Sequence, residues 1–168
     1  LAMYTATGSN QVAVGAAAMQ YATTATGNTA IGDAALRYTT TGSSNTALGS
    51  AALFNNTTSS NNTAVGYQAS YNGTTATETT AIGYRAGGYT NASTGGYNTS
   101  IGSLAGRDLS TGYANTQVGR AAGVLTTTGY QNVAIGNNAF EANTTGYNNV
   151  AIGSGVLGAA TGALGANT

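Results

Sequence analysis

The sequence repeats itself every 17 residues. Stretches reading "NTAIGDAAL" from Asn28, "NTALGSAAL" from Asn45, "NTAVGYQAS" from Asn62, "TTAIGYRAG" from Thr79 and "NTSIGSLAG" from Asn98 are near copies of one another. The glycine after the aliphatic residue marks each unit: Gly15, Gly32, Gly49, Gly66, Gly83, Gly102, Gly119, Gly136 and Gly153. Every step between markers is 17 residues except that from Gly83 to Gly102, which is 19. A near-fixed period of this size is the signature of a solenoid, whose units contact only their neighbours and build a core by stacking. The two added residues fall in the Gly-rich "GGYTNASTGGYN", where an insertion belongs in a loop. Residues 11–157 therefore read as one nine-unit roll, with 1–10 an incomplete leading repeat and 158–168 a trailing partial one.

Each column of the repeat has a physical meaning. Immediately before the marker stand Val14, Ile31, Leu48, Val65, Ile82, Ile101, Val118, Ile135 and Ile152. Two places before it the residue is Ala, except for Ser100 and Gln117, and three places before it Thr or Val. β-branched residues suit a pleated surface, so Thr-Ala-Ile predicts a three-residue strand. Alternation then puts Thr and Ile on one face and Ala on the other. With no charge on either face, the aliphatic column is expected to form the structural core, and the small Ala column to make a second close contact. A helical repeat is excluded, because Gly costs about 1 kcal/mol and Thr roughly 0.7 relative to Ala in helix interiors. The fold class expected is all-β, a parallel β-roll of about nine 17-residue rungs.

The markers themselves are read as turn glycines, and the Thr/Asn/Ser/Gly stretches between strands as turns. Asn recurs at the strand start (Asn28, Asn45, Asn62, Asn98, Asn115, Asn132, Asn149), a column able to hydrogen-bond from rung to rung. At about 4.8 Å per rung the nine units make a rod roughly 43 Å long. Each rung has few apolar side chains to bury, and Ala contributes little at about 25 cal/mol per Å2. The Ala face thus invites association, and three rolls about one axis close their contacts by symmetry.

Composition narrows function. Net charge is zero, from four Lys plus Arg against four Asp plus Glu, so no basic stripe exists for nucleic acid. No apolar run approaches the roughly 18 residues of a membrane span, and membrane insertion is not expected. The opening "LAMYTATGSN" lacks the pattern of a signal peptide. Because it starts mid-pattern at Leu1, the chain is expected to be a processed product or a piece of something longer. His and Cys are absent, which removes the usual nucleophile–base pairs and soft metal sites, and no cofactor is expected. The acids Asp33, Glu78, Asp108 and Glu141 occupy different rungs and do not converge. No catalysis is expected. Arg37 and Arg107, and the tyrosines Tyr113, Tyr130 and Tyr147, are candidate surface contacts for a sugar or surface polymer; a second tyrosine column holds Tyr21, Tyr38 and Tyr89. "NGTTAT" and "NTTGYN" match glycosylation acceptors, as chance matches in so Asn- and Thr-rich a chain. Thr runs such as Thr39 to Thr41 and Thr126 to Thr128 raise ice binding, but they are interrupted and fall in turns.

"NTAIGxxAL" followed by "TTGxxN", with "NVAIGNNAF" and "NVAIGSGVL" closest, resembles the head repeats of YadA-like trimeric autotransporter adhesins. It is closer still to the longer-period repeats of bacteriophage and prophage tail fibres. The resemblance implies a left-handed parallel β-roll, an intertwined homotrimer, on a virion tail fibre or an extracellular surface. The partners it implies are further copies of the chain and a host-surface glycan or receptor. The leading expectation is a structural, receptor-contacting segment of a trimeric phage tail fibre. The alternatives are a bacterial adhesin head or an end-to-end extracellular filament.

Overall fold

A computed structural model describes residues 7–88 and 93–159. Tyr89, part of the 19-residue step, and most of the two terminal partial repeats lie outside that range. The sheet has nine parallel strands in sequential order: β1 (Val12–Val14), β2 (Thr29–Ile31), β3 (Thr46–Leu48), β4 (Thr63–Val65), β5 (Thr80–Ile82), β6 (Thr99–Ile101), β7 (Thr116–Val118), β8 (Val133–Ile135) and β9 (Val150–Ile152). Like residues pair throughout, as in Thr46↔Thr63, Ala47↔Ala64 and Leu48↔Val65. The chain is an all-β solenoid. The 19-residue step leaves the ladder intact, since Thr80 pairs with Thr99 and Ile82 with Ile101.

The two faces of the sheet are the two faces expected, but the inside and the outside are exchanged. From β2 to β9 the middle residue of every strand is buried and its neighbours are not. Val14, Ile31, Leu48, Val65, Ile82, Ile101, Val118, Ile135 and Ile152 are therefore not the core of the roll; they point outward. The Ala column lines the interior instead, so it is not a surface for other chains. The reason is the thinness of the coil. Opposite each strand, the fourth residue after the marker projects inward, and Met19, Leu36, Leu53 and Phe140 are all buried there. Only a methyl group fits on the facing wall.

Those large residues stand at left-handed φ values, from 49° at Leu36 to 56° at Phe140. The strain is about 1–2 kcal/mol for each. Burying a Leu, Met or Phe side chain contributes about 1.5–3 kcal/mol, so packing wins. The marker glycines are a harder requirement. Their φ lies between 129° and 137°, beyond the αL region that other residues visit. A Cβ at Gly66 would stand 2.6 Å from the Gly83 carbonyl oxygen. The rungs meet there backbone to backbone.

The Asn column is internal and forms the expected ladder. The Asn45 N–H donates to Asn28 Oδ1 at 2.8 Å, Asn62 to Asn45 at 2.9 Å and Thr79 to Asn62 at 2.9 Å. The ladder resumes with Asn115 on Asn98 at 2.9 Å, Asn132 on Asn115 at 3.0 Å and Asn149 on Asn132 at 3.1 Å. The amides of Asn28, Asn45, Asn98, Asn115 and Asn132 also reach a carbonyl of the following turn, as when Asn115 Nδ2 donates to the Gly129 carbonyl at 2.8 Å. Asn115→Ala strands the Asn132 N–H and the Gly129 carbonyl in the interior. At about 1–3 kcal/mol per orphaned group, a loss of roughly 3 kcal/mol is expected in denaturant melts. An unchanged midpoint refutes it.

The interior is apolar at both ends and polar between. One apolar cluster runs from Ala18 to Ala86 and a second from Ala122 to Ala151. Between them Ser100 and Gln117 replace Ala in the inner column, and Gly106 and Gly123 replace the large residue that faces it. The two exchanges compensate. Gln117 fills the vacated space, accepting from Ser100 Oγ at 3.0 Å and donating to the Gly123 carbonyl at 3.3 Å. A Cβ at Gly123 would stand 2.4 Å from Gln117 Nε2. Gln117→Ala and Gly123→Leu are each expected to cost about 2 kcal/mol, the first by a cavity and the second by a clash. Together they restore the pattern of the other rungs and most of the stability. Additive losses in this double-mutant cycle overturn the assignment.

Candidate interaction surfaces

All but one of the charged residues follow closely on a marker glycine. Asp33, Arg37, Arg85, Arg107, Asp108, Arg120 and Glu141 all lie within six residues after a marker glycine; only Glu78 does not. The outer sheet face carries none. It consists of two parallel columns, Thr or Val and then Ile, Val or Leu, over nine strands. Seven of its marker-side residues (Val14, Ile31, Leu48, Ile82, Ile101, Ile135 and Ile152) are between 36% and 63% exposed, and Val65 and Val118 are half-buried. Eight strand spacings of roughly 4.8 Å make this an apolar strip about 38 Å long. Large uninterrupted apolar patches on a single chain mark contact surfaces.

Tyrosines form ladders at three places. Tyr113, Tyr130 and Tyr147 stack with centroids 5.0 and 5.1 Å apart and planes 3° and 5° from parallel. Tyr67 stacks on Tyr84 at 5.6 Å. Tyr21 stacks on Tyr38 at 5.1 Å, Phe54 meets Tyr38 edge-on, and Tyr71 stacks on Phe54 at 4.8 Å. In such a stack each ring face is turned to the next ring, and edges and hydroxyls remain for a ligand. A sugar lying flat on the face of Tyr130 is thus precluded, because Tyr113 and Tyr147 flank it.

The arginines differ in their surroundings. Arg107 forms a bidentate pair with the next residue, Nε to Asp108 Oδ1 at 2.7 Å and Nη2 to Oδ2 at 2.8 Å. Its pKa is raised by that hydrogen bond, against a smaller opposing effect of burial. Arg107 is thereby matched within its own rung. Arg37 has no acidic partner among the described residues. Its Nε donates to Gln20 Oε1 at 2.9 Å, and its guanidinium carbon lies 5.8, 5.4 and 5.8 Å from the ring centres of Tyr21, Tyr38 and Phe54. Arg85 repeats the arrangement: Nε to Gln68 Oε1 at 3.0 Å, guanidinium 5.0 Å from the Tyr84 ring centre. Gln20, Gln68, Tyr67, Tyr84 and Arg85 were not singled out from the sequence. The signal was present, since Gln20 and Arg37, like Gln68 and Arg85, are 17 residues apart and so occupy one column.

Of the glycosylation matches, Asn143 in "NTTGYN" is fully buried, and Asn72 in "NGTTAT" accepts from Asn55 Nδ2 at 2.6 Å. Among the described residues there is no pocket and no group of three or more His, Cys, Asp or Glu close enough to hold a metal ion. No helix among them is long and apolar enough to cross a membrane. No protein-family model, no curated protein and no solved structure matches this chain.

Proposed function

We propose that this chain is a structural rod, the shaft or receptor-contacting segment of a trimeric fibre of the phage tail type, and that it performs no catalysis. The observation that carries the reading is the uncharged aliphatic strip along the outside of the sheet. A strip of this length left in water is a liability, whereas copies set around a common axis bury it completely. It takes over the role first expected of the Ala face. The resemblance of the repeats to tail-fibre and adhesin repeats supplies the number three and the setting, a virion or an extracellular surface; an adhesin head would use the same rod. Light scattering on the purified chain, with circular dichroism on the same sample, tests it. A folded species of three chains is expected. A folded monomer overturns the trimer.

One observation favours a second reading. Thr29, Thr46, Thr63, Thr80, Thr99 and Thr116 stand outward in consecutive, in-register strands beside the aliphatic column. This is a regular flat array on a sheet, unlike the turn runs at Thr39 and Thr126, and flat Thr arrays suit ice binding. The two readings need the same face. Thermal hysteresis from a monomeric sample establishes ice binding; its absence removes it.

A further inference from the structure

The stack of Tyr113, Tyr130 and Tyr147 is held in register by the backbone as well as by the rings. The Gln131 N–H donates to the Tyr113 carbonyl at 3.0 Å and the Asn148 N–H to the Tyr130 carbonyl at 3.2 Å. Tyr130 and Tyr147 also pair as a parallel bridge. The ring centroids are 5.0 and 5.1 Å apart, with planes 3° and 5° from parallel. Tyr113 is 43% and Tyr147 39% exposed, so the ladder lies open to solvent. Stacking between rungs does not require a phenol, since Phe54 stacks on Tyr71 at 4.8 Å without one. What the hydroxyl adds is redox chemistry, in a chain that has no Cys and hence no disulfide.

We propose that this ladder is an oxidative cross-linking site, at which a dityrosine bond staples one rung to the next. The co-reactant is a peroxide acting through a peroxidase. Each of two neighbouring tyrosines gives one electron to the oxidant and its phenolic proton to solvent. The two radicals join by a carbon–carbon bond between ring positions ortho to the oxygens. The hydrogen on each coupled carbon then moves to the oxygen, which restores both phenols. One hydrogen peroxide is reduced to two waters, and the chain loses two hydrogen atoms. Holding the rings side by side makes the coupling effectively unimolecular, and side-chain motion closes the remaining gap. The other tyrosine pairs are less suited. A guanidinium stands 5.4 Å from the Tyr38 ring centre and 5.0 Å from that of Tyr84, and its charge opposes removal of an electron. The bond between Tyr113 and Tyr130 closes a loop of one 17-residue period, and a link of that kind stabilises by restricting the unfolded chain.

The test treats the full chain with a plant peroxidase and hydrogen peroxide. It reads dityrosine fluorescence, cross-linked peptides by mass spectrometry and chain mass on a denaturing gel. Links are expected within single chains, joining Tyr113 to Tyr130 or Tyr130 to Tyr147. Tyr130→Phe keeps the stack, removes the middle phenol and leaves the outer two about 10 Å apart. Its yield from this ladder is expected to fall at least about tenfold, while the untreated variant melts as wild type does. Tyr147→Phe spares the Tyr113–Tyr130 pair and is expected to lose about half the yield. Tyr97, in another column, is 61% exposed, and Tyr97→Phe is expected to leave the yield within single chains unchanged. The linked wild type is expected to melt roughly 5–10 °C higher. The site is overturned if the folded chain does not couple, if coupling survives Tyr130→Phe, or if Tyr97 links between chains in preference to the ladder. A linked chain with an unchanged melting temperature overturns the staple.

Discussion

Ile82→Lys is expected to convert the associated rod into folded single chains. Ile82 lies in β5, the central strand of the nine, on the outer face. On an isolated chain the lysine extends into water, so the circular dichroism and the melting temperature of the monomer barely change. In an assembly closed around the strip, symmetry brings every copy of that lysine into the same desolvated layer. Unpaired buried charge costs several kcal/mol per ion, and like charges on one axis add repulsion. The association constant is expected to fall by at least a thousandfold, about 4 kcal/mol. Ile82→Val, which keeps the strip apolar, is expected to leave the mass unchanged. The reading fails if Ile82→Lys retains the wild-type mass at micromolar concentration.

Substituting a marker glycine carries a still larger expected penalty, this time on folding. Gly66→Ala forces a side chain into a φ of 130° and sets its Cβ 2.6 Å from the Gly83 carbonyl oxygen. Neither neighbour is a flexible side chain able to swing aside; the obstacle is the next rung's backbone. Backbone strain alone amounts to about 1–3 kcal/mol, and relieving the clash requires the two rungs to part and break ladder bonds on either side. A loss of more than about 5 kcal/mol is expected, read as a chain that is largely unfolded or that melts in two steps about the substituted rung. Gly153→Ala is the internal comparison. It has a similar φ of 129°, but the nearest atom to its Cβ is Val156 Cγ2 at 3.1 Å, a methyl group that can rotate away. It is expected to cost about half as much or less. Equal effects at the two positions argue that strain, not rung contact, fixes the column as glycine.

Much of this architecture is written in the period. Strand positions, parallel register, the turn glycines and the Asn ladder all follow from lining up residues 17 apart, because a solenoid turns sequence spacing into spatial adjacency. Which face of the strand points inward did not follow. Alternation separates Ala47 from Thr46 and Leu48 without saying which side meets the opposite wall, and hydrophobicity favours the wrong answer. Side-chain volume across the coil decides it, and that depends on how closely the walls approach. A clue lay in the exceptions. Where the inner residue grows, at Ser100 and Gln117, the residue four places after the marker shrinks to Gly106 and Gly123. That exchange identifies two columns in contact. The candidate contacts were half legible: Arg37 was singled out, while its partner Gln20 sat unremarked one period earlier. Arg107 drew notice by sharing Arg37's column, yet Asp108 beside it answers its charge.

The parallel ladder crosses the 19-residue step without a slip, Thr80 facing Thr99 and Ser100 facing Gln117 in the next pair. Outward turns can therefore lengthen without disturbing the strands, and a whole unit can be gained or lost without altering the fit of those that stay. Such a chain behaves as a ruler graduated in single rungs. Duplicating or deleting one 17-residue block changes its reach by about 5 Å and lengthens or shortens the apolar strip by the same increment. Unequal exchange between repeats in the coding sequence is then a direct route to rods of graded length.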